Sequence, residues 1–347
     1  MSDGKEKKPV LFGCEGTKIN PVERALFRNA RPFGFILFKR NCEDPEQVRS
    51  LIAELRQAAD HDDVQFAIDQ EGGRVSRLQP PHWPAYPPAR TFGLMYEKDP
   101  DWGMEAITLY SRIVANELFK LGFTINCAPV VDLFNPEGTA AIGERAISSS
   151  PSVVAALARR QIETFLANGI LPVVKHLPGH GRLKTDPHKV LPTIEATRAE
   201  LESQDFMPFE LLKDAPIGMN SHAIFTALDP ERPASMSLVV NNDIIRGRLG
   251  FDGLLFSDDL MMKALNGLPG ELAAKALEAG NDIALHCNGK ASEMEAIVRV
   301  LGPMSQAAES RWAHAKAMVN PPDPAYDPRD DMERLDILLG GLAFDEA

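Results

Sequence analysis

The chain has 347 residues and a formal net charge of −12 at pH 7, which argues against a nucleic-acid partner, because phosphate binding depends on clustered Lys and Arg. Its hydrophobic content of 44% and charged content of 25% fit a soluble globular protein that can bury a core without disulfides or a structural metal. The four cysteines, Cys14, Cys42, Cys127 and Cys287, form neither a C-x-x-C pair nor a zinc-finger pattern, so they are expected to be reduced core residues.

The charged opening MSDGKEKKPV and the brief apolar run after it make no signal-peptide core. No stretch approaches the ~18 apolar residues of a membrane span. A cytoplasmic protein without a membrane partner is expected. Eight short apolar runs then follow in order. The first two are PVLFGCEG from Pro9 and FGFILFKRN from Phe33, with a predicted amphipathic helix over Pro45 to Ala59 behind them. VQFAIDQEGG from Val64 precedes a helix over Gly103 to Leu121, and FTINCAPVVD from Phe123 precedes one over Pro151 to Asn168. ILPVVKHLPGHG from Ile170, PIGMNSHAIF from Pro216 and GLLFSDD from Gly253 come next, then a helix over Gly270 to Ala279 and a last run, NDIALHCN, from Asn281.

Continuous apolar runs of this length suit strands buried on both faces, as in a parallel sheet. Strands alternating with helices in this number predict an α/β protein, a single (β/α)8 TIM barrel. A doubly wound open sheet is the alternative, but Glu15-Gly16-Thr17 is no Gly-rich dinucleotide loop. The tail becomes Pro- and Asp-rich from Pro321, and no linker long enough for a second domain is present. Residues 1–347 are therefore expected to form one barrel catalytic domain, with a C-terminal helical extension from about residue 303.

Most of the runs end in a polar cluster: Lys39-Arg40-Asn41, Asp69-Gln70-Glu71, Asp132, Lys175-His176, Asn220-Ser221-His222, Ser257-Asp258-Asp259 and Cys287-Asn288. Active sites of these barrels lie at the C-terminal ends of the strands. The richest stretch is Lys175-His176-Leu177-Pro178-Gly179-His180-Gly181, followed by Asp186-Pro187-His188. Zinc is one reading of its histidines, but Pro178 and the glycines break any helix that would present H-x-x-x-H. The other is acid–base chemistry on a Gly-rich loop, with Asp186 holding one ring nitrogen of His188. Ser257-Asp258-Asp259 runs an apolar strand into two adjacent carboxylates. Like charges side by side need different partners, so one is expected to be a nucleophile and the other an acceptor for backbone N–H groups or for a neighbouring cation.

IDQEGGRVSRL, NCAPVVDL, IGERA, KHLPGHG, DPH, GFDGLLFSDDLMM and EAGNDIALHCN occur in this order. Together they resemble the bacterial β-N-acetylglucosaminidases of glycoside hydrolase family 3, in the branch that recycles cell-wall fragments and has a lone barrel. The resemblance implies Asp258 as nucleophile, His188 as acid/base and Asp186 as its orienting partner. It implies Asp69, Arg145, Lys175 and His176 as sugar-binding residues, and no metal or organic cofactor. Position 187 is more often Ser in this branch, and Pro187, which fixes φ, is expected to stiffen the loop. The implied substrate is a muropeptide fragment bearing N-acetylglucosamine linked β-1,4 to anhydro-N-acetylmuramic acid, and a monomer is expected. A phosphorylase on the same scaffold would differ only in the second step, where phosphate replaces water.

Overall fold

Eight parallel strands pair in sequence order, and the last returns to the first to close a barrel. The structure, a computed structural model, describes residues 6–184, 191–262 and 265–340. The barrel strands are β1 (Lys8–Phe12), β2 (Pro32–Leu37), β3 (Gln65–Ile68), β4 (Ile125–Asn126), β5 (Leu171–Leu177), β6 (Ile217–Asn220), β7 (Leu254–Asp259) and β8 (Ile283–His286). Closure is through the β1–β8 register Val10↔Ala284 and Phe12↔His286. Each strand falls inside one of the apolar runs, save that β1 and β2 begin one residue before theirs, and the TIM barrel expected from them is the observed fold.

The helices start where the side chains can satisfy their first N–H groups. Asn20 and Glu23 form a capping box at α1 (Pro21–Ala30). Asp44 accepts from Glu46 and Gln47 at α2 (Pro45–Ala59). Next come α3 (Ala89–Lys98) and α4 (Pro100–Leu121). The latter begins earlier than the periodicity predicts, because Asp99 caps it and Pro100 occupies its first turn. After α5 (Pro151–Ala167) the described residues of the β5–β6 connection form a two-residue strand, Thr193–Ile194, and short helical pieces, Arg198–Glu200, Leu201–Asp205 and Met207–Leu211. A π-helical stretch, Val240–Arg248, leads into β7. The chain ends with α6 (Pro269–Glu278), α7 (Ala291–Val300), α8 (Gln306–Ala317) and α9 (Arg329–Gly340). Among the described residues no helix is long and apolar enough to cross a membrane.

Strand alternation divides the core in two. Leu11, Phe33, Val173, Met219, Phe256 and Leu285 fill the barrel interior, whereas Val10, Phe12, Phe35 and Phe66 pack outward against the helices. Trp312 of α8 joins the interior set, fully buried, with its ring 4.9 Å from that of Phe33. Its indole N–H donates to Asp63 at 2.9 Å. Helix α8 thus plugs the N-terminal mouth of the barrel and leaves the C-terminal mouth for chemistry. The cysteines are free, with Cys14, Cys127 and Cys287 buried.

Candidate active site

A cavity of about 370 Å³ opens at the C-terminal ends of the strands, and Asp69, Arg145, Lys175, His176 and Asp258 all line it. These are five of the seven site residues expected from sequence; Asp186 and His188 lie outside the described residues. A larger hollow of about 930 Å³ sits at the opposite end, beside Arg49, Arg56 and Lys120. It gathers none of the strand-end residues, so the smaller cavity is the candidate site.

The charged floor is a lattice rather than a set of separate groups. Lys175, 2% exposed, reaches Asp69 at 2.8 Å and Glu71 at 2.6 Å. Asp69 also accepts from Arg77 at 2.9 Å, and Arg145 grips Glu71 in a fork at 2.7 and 2.8 Å. A lone ammonium at this depth would cost several kcal/mol, and the two carboxylates remove that penalty. Burial disfavours charge on Asp69, yet Lys175 and Arg77 outweigh it and hold the carboxyl below the usual range. Burial likewise opposes the charge on Lys175, which Asp69 and Glu71 restore, pushing it above the ordinary lysine value. The floor is therefore preorganised and ionised before any ligand arrives. Of the five N–H groups of Arg145, three are spent on Glu71 and on the Ala141 carbonyl at 2.9 Å, and the other two have no partner among the described residues.

The neighbouring carboxylates at the end of β7 have different surroundings. Asp259 accepts the backbone N–H groups of Met261 and Cys287, each at 3.1 Å, and so ties β7 to β8. Burial, together with the charge on Asp258, raises its pKa. Asp258 accepts the N–H of Asp259 at 2.8 Å and otherwise faces the cavity. Burial disfavours its charge, but the imidazoles of His222 and His176 and the Asp259 N–H prevail and lower its pKa. His222 secures the strand end. Its Nε2 donates to the Asp259 carbonyl at 3.0 Å, since a carbonyl can only accept, and its Nδ1 meets Ser235 Oγ at 2.5 Å.

Sequence reasoning missed several participants. Arg77 stands in the quoted IDQEGGRVSRL, but its return to Asp69 depends on the hairpin of Gln70–Gly72 with Val75–Ser76. That turn requires glycine: Gly72 has φ 98°, and a Cβ there would meet the Pro87 carbonyl oxygen at 2.2 Å. Arg74 donates to the carbonyls of Ala140, Ala141 and Ile142, holding that segment at the rim. Asp132, His176 and His180 bring possible ligand atoms within 4.8 Å of one another. Both Asp132 oxygens, however, already accept protein N–H groups.

Residues 8–316 match the glycosyl hydrolase family 3 N terminal domain. A beta-hexosaminidase of Chromobacterium violaceum is 36% identical over 302 residues, which are 86% of this chain and 83% of that protein. Among solved structures, NagZ from Neisseria gonorrhoeae in complex with N-trifluoroacetyl-D-glucosamine superposes with a TM-score of 0.84 at 28% identity, covering 96% of this chain and 98% of that one. A glycoside hydrolase family 3 beta-N-acetylglucosaminidase from Paenibacillus sp. str. FPU-7 gives the same TM-score, 0.84, and identity, 28%, covering 95% of this chain and 66% of its own.

Proposed function

The chain belongs to glycosyl hydrolase family 3, as a β-N-acetylglucosaminidase-type glycoside hydrolase, and from that premise we propose that it is a retaining exo-enzyme acting through a covalent glycosyl-enzyme. It removes non-reducing-end N-acetylglucosamine from peptidoglycan-derived muropeptides, where the sugar is linked β-1,4 to anhydro-N-acetylmuramic acid. The observation that carries this reading is the position of Asp258. It reaches the cavity from the end of β7, opposite a floor of Asp69, Lys175, Arg145 and His176.

In this mechanism Asp258 attacks the anomeric carbon while protonated His188, oriented by Asp186, gives its proton to the departing oxygen. The neutral imidazole then takes a proton from water, whose oxygen displaces Asp258 and leaves the β-anomer. Retaining glycosidases mostly use two carboxylates, and here the second role falls to a His–Asp pair. Lys175, Arg145 and His176 bind sugar hydroxyls or the acetamide oxygen, and Asp69 accepts from hydroxyls. No step needs a metal or an organic cofactor. The same reading makes the protein a cytoplasmic recycling enzyme, a monomer with one catalytic barrel and a C-terminal helical extension. Proton NMR of the sugar released from the anhydro-disaccharide, recorded before mutarotation, tests it. The β-anomer is expected. The α-anomer, or a sugar 1-phosphate formed when phosphate is supplied, would replace it with an inverting or phosphorolytic reaction.

A further inference from the structure

Asp132 ends the fourth apolar run and has no part in the chemistry above, yet it is only 1% exposed. It belongs to the extended segment after β4, held beside β5 by the Val131 N–H, which donates to the Lys175 carbonyl at 2.7 Å. Both of its oxygens are committed. One accepts Nδ1–H of His176 at 2.7 Å and the backbone N–H of the same residue at 3.2 Å. The other accepts the backbone N–H of His180 at 2.8 Å. The His180 ring lies over the His176 ring, with centroids 4.1 Å apart and planes 20° from parallel, and its Nδ1 meets Ser221 Oγ at 2.7 Å.

A carboxylate can only accept, so the proton of a neutral His176 must sit on Nδ1, which leaves Nε2 as the ring atom for a ligand. The two backbone N–H groups bracket Leu177-Pro178-Gly179. One carboxylate therefore fixes both ends of the turn from which the chain runs on to Asp186 and His188. We propose that Asp132 is a positioning residue. It sets the tautomer of His176, so that Nε2 meets a sugar hydroxyl as an acceptor, and it anchors the root of the acid/base segment. The proposal rests on the sugar-binding reading of His176 given above.

The charge matters, not only the shape. A neutral amide has one accepting oxygen, and its NH2 would oppose an N–H donor on one side or the other. Burial disfavours ionisation of Asp132, but His180, His176 and the N–H donors overcome it and hold the carboxyl below the usual range. Burial also pushes His180 down to about 3, so that ring stays neutral where it stacks on the His176 ring.

Two measurements test the assignment. In the wild-type enzyme, ¹⁵N-histidine NMR reports the tautomer directly, with the His176→Gln variant identifying the signal. A protonated Nδ1 and a bare Nε2 are expected; the opposite tautomer would overturn the proposal. In Asp132→Asn, KM and the inhibition constant of free N-acetylglucosamine should rise by roughly ten- to a hundred-fold, the range covered by one lost charge-assisted hydrogen bond. A purely structural residue would instead lower the amount of folded enzyme and leave KM unchanged, and that result would also overturn it. The NMR readout needs neither substrate nor a folded Asp132 variant. Wild-type enzyme inactive on the glycoside would thus refute the functional reading separately, while the tautomer still decides for or against Asp132.

Discussion

Asp258 and Asp259 are adjacent in sequence, and only their hydrogen-bond partners separate them. Asp259 serves two backbone N–H groups, from Met261 and Cys287, so Asp259→Ala leaves both donors without their acceptor. A buried donor left unpaired costs about 1–3 kcal/mol. The variant should therefore melt several degrees below wild type in a calorimetric scan, whereas Asp258→Ala should melt near the wild-type temperature and lack turnover. Equal melting temperatures would remove the division of labour. The sequence already carried the principle that two adjacent carboxylates need different partners. It could not say which was which, because the deciding contact comes from Cys287, just past β8 and 28 residues downstream. At His188 the expectation is kinetic. His188→Ala should slow poor leaving groups by about 10²–10⁴-fold and activated aryl glycosides far less in the bond-breaking step, since aryl oxygens need little protonation. Equal losses on both substrates in single-turnover kinetics would make His188 a binding residue.

The elements most legible in sequence are those whose signal is local. The eight strands follow from apolar runs, and α2 follows from its periodicity and the Asp44-Pro45 start. The extended segment from Cys127 to Asp132 is different. Only Ile125–Asn126 registers as strand, and the rest is held by contacts to β5 that no short window reveals. Helix α8 is legible as a helix but not as a plug, because it presents no broad apolar face and only Trp312, Ala308 and Ala315 reach the barrel interior. Trp312 fills the space under Phe33 and bonds to Asp63. Trp312→Ala should cost about 3–5 kcal/mol by cavity formation, read as a shift in the urea midpoint, with kcat/KM of the folded enzyme nearly unchanged. A catalytic defect equal to that of a site mutant would contradict a plug that acts only on stability.

At the scale of the whole molecule, stability and chemistry are placed at opposite ends of the barrel, with the plug at one mouth and the ionised lattice at the other. Buried carboxyls make that stability depend on pH, and Glu117 is one outside the site's charged floor. Glu117 on α4 lies largely buried beside Tyr86, and burial pushes its pKa from 4.5 to about 7 against the lowering effect of the Tyr86 hydroxyl. The folded state thus binds this proton more tightly than the unfolded chain does. The contribution is fully present below pH 4.5 and is lost as pH rises through about 7. Compared with Glu117→Gln, the wild type should lose about 3 kcal/mol of unfolding free energy across that interval. Urea titrations at several pH values check this, and parallel stability curves for the two proteins would refute it.

The central claim, that Asp258 forms a covalent bond with the sugar during turnover, is tested most directly by trapping the intermediate. A mechanism-based fluorosugar bearing a good leaving group should inactivate the enzyme. Proteolysis and mass spectrometry should then show one added glycosyl unit on the peptide that contains Ser257-Asp258-Asp259, with fragmentation placing it on Asp258. Labelling of Asp259, or inactivation without any glycosylated carboxylate, would contradict the account.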